Sequence, residues 1–589
     1  MVLVGLGLIA AQLGYRAWAL AGSWFYFDDL AFMSRAMNQP FGPHYLFESY
    51  GGHLMPAGFA VTWLLTKWSV YDWTPWWLVL LALQALAGLG MLRLLLSMFG
   101  RRPFVLVLLA GYLAYVFTLP AGLWWAAGIN QVPLQIALVF GLHAHLAYLR
   151  GGRLRHLVAT LLWTLAGLAF YEKTLLLFGL YAIVALAWFT SGSTPERLRG
   201  VWDRYRTGVV AHGVVALGYL AVYAAWGLDF SPSDSGSLPW TPIAWNLVAV
   251  AGLPAAVGGP LRWEPLSVGS IADPTQVFQL VSWVLVGGLG WYGHRTRTLS
   301  VRAWWLLAFT LLANVALLAS ARAGVVGPDI AREYRYQTET GALLVLCLGL
   351  AFLPLRGAVE VNRVRPETPR PYERRPLVAL VALAVVAAAV VSSTEYVDLW
   401  QHRNRTQDYL DNVRSSLAHA PQRPVPVADG GIPTSLLWAF RHPENYFSHL
   451  FRPCAAAVRY PSQAVDRLYT FDDRGHLAPV IVPPTRRMQP GVGCGYPLQG
   501  AQTRIPLDGP VLGSGWWIQV GYASPKSVSL RLTAGEDVHD LDLPKGLHNV
   551  FVRVSGQFRR VILTGYPPHS HLCVVDLNLG VPAAGVSAS

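Results

Sequence analysis

Acidic side chains are scarce along the apolar stretches of this chain, yet two stand next to each other: Asp28 and Asp29, in WFYFDDLAFMSRA. Paired carboxylates flanked by aromatics share a partly dry setting. Desolvation would raise one pKa toward the range of a general base. The same two residues would also serve as solvated interface groups or as the cap of a following helix. Carboxylates near membrane depth are costly and tend to be retained for a task.

Other polar residues of suitable type cluster in a few short segments. His44, Glu48 and His53 follow the acid pair, and Asn130 and Gln131 follow Trp124 and Trp125. Glu172 and Lys173, in FYEKT, are either functional or simply neutralise each other, as buried charges usually do. In RAGVVGPDIAREYRYQ, Arg332 and Arg335 alternate with Tyr334 and Tyr336. Two guanidinium forks at that spacing suit a phosphate clamp. Arg16 either joins the clamp or snorkels to head groups. No Walker loop, HExxH, GxSxG or GxGxxG in a βαβ setting occurs, which removes the corresponding nucleotide, zinc-protease and serine-hydrolase chemistries.

The elements that must hold these residues are apolar. Of 589 residues, 54% are hydrophobic and only 13% charged, whereas a soluble protein carries about 25% charged residues. Apolar runs fall at roughly 2–22, 76–98, 103–119, 131–149, 156–170, 174–190, 208–226, 277–293, 303–321, 340–355 and 376–393, about eleven spans. The 24 Trp and 25 Tyr suit two interfacial belts. Alternate connections are rich in arginine: Arg101 and Arg102; Arg150, Arg153 and Arg155; Arg197, Arg199, Arg204 and Arg206; Arg295, Arg297 and Arg302; and Arg356, Arg363, Arg365, Arg370, Arg374 and Arg375. The positive-inside rule places that set, and the N-terminus, in the cytoplasm of a plasma-membrane protein. The net charge of +13 is therefore topological, and no basic stripe interleaved with aromatics points to nucleic acid.

Residues 1–393 form the transmembrane part, with long outer loops at 23–75 and 227–276. Within these loops, 54–70 and 240–257 read as interfacial or re-entrant helices rather than spans. Residues 394–499 are mixed. From about 500 the pattern turns to short alternating runs between turn residues, the signature of an antiparallel β-sandwich over 500–589. Trp516 and Trp517 there either stack on sugar faces or fill the core, since one of an alternating pair normally points inward. Of four cysteines, Cys347 lies in an apolar run, and Cys454, Cys494 and Cys573 allow one disulfide outside the membrane. The fold class is a polytopic α-helical membrane protein with a C-terminal extracytoplasmic β-sandwich.

The first helix, the outer loop opening on FDDLAFMSRA, the amphipathic helices in that loop, the many spans and the outer β-domain resemble the GT-C superfamily of lipid-dependent glycosyltransferases. That superfamily includes protein O-mannosyltransferases and actinobacterial mannosyl- and arabinofuranosyltransferases. The resemblance implies an inverting enzyme that moves mannose or arabinofuranose from a polyprenyl-phosphate donor to a cell-envelope glycan or glycoprotein on the outer face. Asp28 or Asp29 would be its base. Arg332, Arg335 and Tyr336, helped by Lys173 and Arg16, would hold the donor phosphate. His53, Glu172, Glu48, Asn130 and Gln131 would line the substrate site, and the outer domain would engage a glycan. No cofactor is demanded, although the resemblance admits a divalent cation. Alternatives stay open: one is a flippase for a lipid-linked sugar, and a second is a non-catalytic scaffold that binds cell-wall polymer. A ligase or acyltransferase using Glu172 or a histidine as base is a third.

Overall fold

The computed structural model describes residues 1–226, 239–266, 269–321, 327–366, 375–513, 515–568 and 570–585. It divides into two units, Met1–Asn404 and Arg405–Ser589. The boundary lies past the expected 393 because the last long helix of the first unit runs on to Arg403.

The first unit is helical: α1 (Val2–Ala21), α2 (Asp28–Asn38), α3 (Pro56–Trp68), α4 (Trp73–Phe99), α5 (Pro103–Ala114), α6 (Trp125–Gly151), α7 (Leu154–Leu168), α8 (Leu176–Trp188), α9 (Thr194–Trp226), α10 (Gln276–Thr296), α11 (Ser300–Ala321), α12 (Thr338–Phe352) and α13 (Arg375–Arg403). Every expected apolar run falls on one of these helices or its continuation. Among the described residues six helices are long and apolar enough to cross a membrane, seven if α5 and the bent stretch Val116–Leu123 count as one span. The unit is therefore a multi-pass membrane domain. Its outer helices carry apolar residues all round: Val214 and Leu217 on α9, and Val277 and Val284 on α10, are each at least 66% exposed. In water such faces would aggregate, whereas hydrocarbon solvates them.

Helix α3 fills the stretch expected to lie outside the membrane. Its 13 residues reach only about 20 Å, short of the hydrocarbon core. The described part of the second long loop forms the helical turns Trp240–Ala244, Trp245–Gly252 and Leu253–Ala256, then the hairpin β1 (Trp263–Pro265) and β2 (Ser270–Ala272). The arginine-rich connections meet at one end of the bundle. Arg150 donates to Ser97 and to the Arg356 carbonyl, and Arg197 and Arg302 both pair with Glu360. Arg370 and Arg374 lie outside the described residues.

The second unit carries, beside a three-stranded sheet and a short parallel pair, two larger antiparallel sheets. With β3 (Gln502–Val511), β4 (Trp516–Ser524), β5 (Val528–Ala534), β6 (Asp537–Leu543), β7 (Gly546–Val554), β8 (Phe558–Thr564) and β9 (Cys573–Gly580), one sheet runs β7-β4-β9 and the other β6-β5-β8-β3. Inward residues of both sheets, among them Ile518, Leu532, Val552, Val561 and Leu577, form one apolar core, as period-two alternation requires of a sandwich. Trp517 is not a sugar platform: it is buried against Val465, Leu468, Val480 and Phe551. Trp516 is half-buried on the sandwich core, its indole N–H donating to the Leu512 carbonyl. Alternation does turn one tryptophan of the pair inward, and packing covers much of the other. The disulfide joins Cys494 to Cys573, leaving Cys347 and Cys454 as free thiols.

Candidate active site

The acid pair stands at the start of α2, directly after Phe27, whose φ of 50° is rare for a residue with a side chain. Acids in a first helical turn are favoured by the helix dipole. The two carboxylates nevertheless have different surroundings. Asp29 is buried, accepting the Tyr26 amide through Oδ2 at 2.9 Å and the Ala126 amide through Oδ1 at 2.7 Å. It thereby caps α6 from a distant segment. Burial pushes its carboxyl well above the usual range, against the pull of those amides. Asp28 is half-buried, and its Oδ1 accepts the Tyr50 hydroxyl at 2.8 Å.

Tyr50 begins a tight turn closed by reciprocal backbone bonds with His53 at 3.1 Å. Gly51 and Gly52 inside it have φ of 57° and 83°, which glycine adopts without a Cβ penalty. The turn delivers His53 to Glu172, with Nδ1 to Oε1 at 2.7 Å, while Glu172 Oε2 is buried without a hydrogen-bond partner among the described residues. An imidazole held by a carboxylate at one nitrogen has a defined orientation. Next in the chain, Lys173 donates to the Tyr336 carbonyl at 2.7 Å and pairs with Glu339 at 2.9 Å.

Arg335 completes the ring. Its guanidinium lies 4.6 Å from the Trp124 ring centroid and 5.0 Å from that of Tyr336, with Nε 2.7 Å from Glu333 Oε1. Trp124 donates its indole N–H to the Tyr26 carbonyl and packs edge-on against the Tyr26 ring. The Tyr26 hydroxyl accepts the Gly269 amide of the β1–β2 turn at 3.2 Å. The loops carrying Asp28, Trp124, Lys173 and Arg335 thus form one connected polar cluster, away from the arginine-rich end.

Several residues singled out in the sequence are engaged elsewhere. Arg332 does not join Arg335 in a clamp: it pairs with Glu264 at 2.9 Å and Asp329 at 3.4 Å and donates to the Ala272 carbonyl, fastening the hairpin. Arg16 neither joins the clamp nor snorkels; it is buried and donates to Thr118 and the Leu119 carbonyl, satisfying the broken helix after α5. Lys173 is neutralised by Glu339, and Glu48 pairs with Arg35 at 2.8 Å. His44 is on the surface. Asn130 bonds within its own helix, whereas Gln131 bridges the Tyr171 and Thr338 hydroxyls. Sequence reading passed over Tyr26, Tyr50, Glu333 and Glu339. The rarity of acids in apolar stretches would have flagged the last two. Among the described residues no three His, Cys, Asp or Glu side chains gather to hold a divalent cation.

No protein-family model matches the chain, and no curated protein matches it in sequence. Solved structures do. ArnT from Cupriavidus metallidurans bound to undecaprenyl phosphate is similar at a TM-score of 0.43 and 12% identity, over 80% of this chain and 93% of that one. Arabinofuranosyltransferase AftD from Mycobacteria is similar at 0.40 and 12% identity, over 99% of this chain and 58% of that one. The present chain therefore spans less than two-thirds of the length of that arabinofuranosyltransferase.

Proposed function

We propose that the chain is an inverting membrane glycosyltransferase that moves mannose or arabinofuranose from a polyprenyl-phosphate donor to a cell-envelope acceptor on the outer face. The observation that carries this reading is the tie between Asp28 and Arg335. A half-buried carboxylate and a cation mounted on two aromatic rings sit on loops joined through Tyr26 and Trp124, at one end of an apolar bundle. A base and an anion partner so placed suit a nucleophile arriving from water and a phosphate anchored in lipid. The lipid donor itself is what the GT-C resemblance of the Asp28–Asp29 loop implies.

In this reading Asp28 accepts the proton of an acceptor hydroxyl as its oxygen bonds to the anomeric carbon. The bond from that carbon to the donor phosphate breaks in the same in-line step, so the configuration inverts. Charge builds on the departing lipid phosphate, where Arg335 stabilises it. Asp29 supports the loop without touching substrate. The C-terminal sandwich holds or selects the glycan.

The test is transfer from radiolabelled polyprenyl-phosphate mannose and arabinofuranose by the full chain in lipid nanodiscs, with an envelope extract as acceptor. Consumption of one donor, lost in Asp28→Asn, is the result expected. Donor that binds but is never consumed would move a flippase or scaffold ahead.

A further inference from the structure

Glu333 is buried, at 1% exposure, between two short 3-10 turns, Pro328–Arg332 and Tyr334–Tyr336. Its backbone is held on both sides: its amide donates to the Ile330 carbonyl at 3.1 Å, and its carbonyl accepts the Tyr336 amide at 3.3 Å. The carboxylate lies under the β1–β2 turn, where a Cβ on Gly269 would stand 3.4 Å from Oε1. Although Oε1 is 2.7 Å from Arg335 Nε, that N–H makes no aligned hydrogen bond, and Oε2 has no hydrogen-bond partner among the described residues. Buried carboxylates normally draw aligned donors to both oxygens. This one has a single cation beside it and little else.

Arg335 presents the complementary picture. Its ring contacts are to Trp124 and Tyr336, its Nε faces Glu333, and neither terminal nitrogen donates a hydrogen bond to another described residue. The terminal nitrogens are the pair that grips a phosphate in fork geometry. We infer that Glu333 is the resident counter-anion of Arg335: it positions the guanidinium and contends with the phosphate of an incoming lipid donor for its charge. This rests on the reading of Arg335 as the donor's phosphate contact.

When two anions share one cation, each favours the other's neutral form. Donor binding is then linked to proton uptake by Glu333, and the linkage is reciprocal. Burial pushes Glu333 up to about 7, with Arg335 opposing, so the exchange falls at neutral pH. The other titratable groups facing the pair are Tyr26, Tyr336, Asp28 and, from α13, Tyr396. Of this set Arg335 alone is a cation. After transfer the lipid phosphate gains charge, and an ionised Glu333 opposes its retention. The same carboxylate thereby helps the product leave.

The experiment measures binding of a polyprenyl phosphodiester of mannose or arabinofuranose, whose charge stays constant between about pH 6 and about pH 8. Wild-type protein in nanodiscs should bind about tenfold more tightly at the lower pH, and Glu333→Gln should bind equally at both. A variant that keeps the wild-type pH response overturns the inference. So does one that melts like wild type but binds at neither pH. Calorimetry of the wild type in buffers of different ionisation enthalpy should show net proton uptake on binding, and zero uptake also overturns it. Uptake without any sugar transfer would sink the enzyme reading and leave the counter-anion standing. Transfer with zero uptake would sink the counter-anion alone.

Discussion

Asp29 Oδ1 accepts the Ala126 amide at 2.7 Å across 97 residues of chain. One carboxylate of the acid pair is thus built into the start of α6, where an unpaired amide would otherwise be buried. Its neighbour Asp28, one residue earlier, is half-buried and accepts the Tyr50 hydroxyl at 2.8 Å. Adjacent residues of one type therefore have different surroundings, and that difference is the ground for proposing Asp28 as the base.

Substitution should separate the two roles. Asp28→Asn is expected to lower transfer by about 10²- to 10⁴-fold with the melting temperature unchanged. Asp29→Asn puts an amide group where two N–H donors need acceptors and should cost about 1–3 kcal/mol of stability. Thermal scanning beside initial rates distinguishes them. A stable, inactive Asp29→Asn with an active Asp28→Asn would reverse the assignment.

Arg335→Lys keeps the charge but not the fork. Because a guanidinium matches phosphate with two parallel bonds and an ammonium does not, donor KM should rise by about 10- to 100-fold. Steady-state kinetics over a donor series reads this directly. An unchanged KM would remove Arg335 from the phosphate site.

Arg332 should prove structural. Glu264, its main partner, is half exposed in the hairpin, so the pair is worth about 0.2–1 kcal/mol. A double-mutant cycle of Arg332→Gln and Glu264→Gln should return a coupling of that size, with transfer within about twofold of wild type. A loss of transfer beyond tenfold would restore the two-arginine clamp.

Stability should depend on pH through Glu333. Its folded-state pKa, pushed up to about 7 by burial against the pull of Arg335, exceeds the ordinary 4.5. The folded chain therefore holds that proton to higher pH than the unfolded chain does. The associated stability is complete below about 4.5 and is lost as pH rises through about 7. Melting temperature between these values should fall less steeply in Glu333→Gln than in wild type; equal slopes would contradict the burial argument.

The disulfide spans 79 residues of the second unit and closes β9 against the segment before β3. Thiol titration of denatured, unreduced protein should find the two free cysteines, Cys347 and Cys454. Replacing Cys494 and Cys573 together by Ser should destabilise the second unit by about 2–5 kcal/mol. Four titratable thiols would mean that the bond does not form.

By itself the sequence determined the helices and the alternating strands, because apolar run length and residue periodicity are properties of neighbours in the chain. It also determined where to look: a carboxylate pair among apolar residues is conspicuous whatever the fold. Only the tertiary structure decided which groups remain available. Asp29 is taken by an amide 97 residues away, Glu172 by His53 from 119 away, and the Tyr336 carbonyl by Lys173 from 163 away. Arg332 and Arg335 are alike by type and spacing, yet one is fastened to a hairpin and the other to two aromatic rings. Charges choose partners by distance through space and by the water they lose. Neither quantity is written in local sequence, so the list of candidates came from the chain and the choice among them came from the fold.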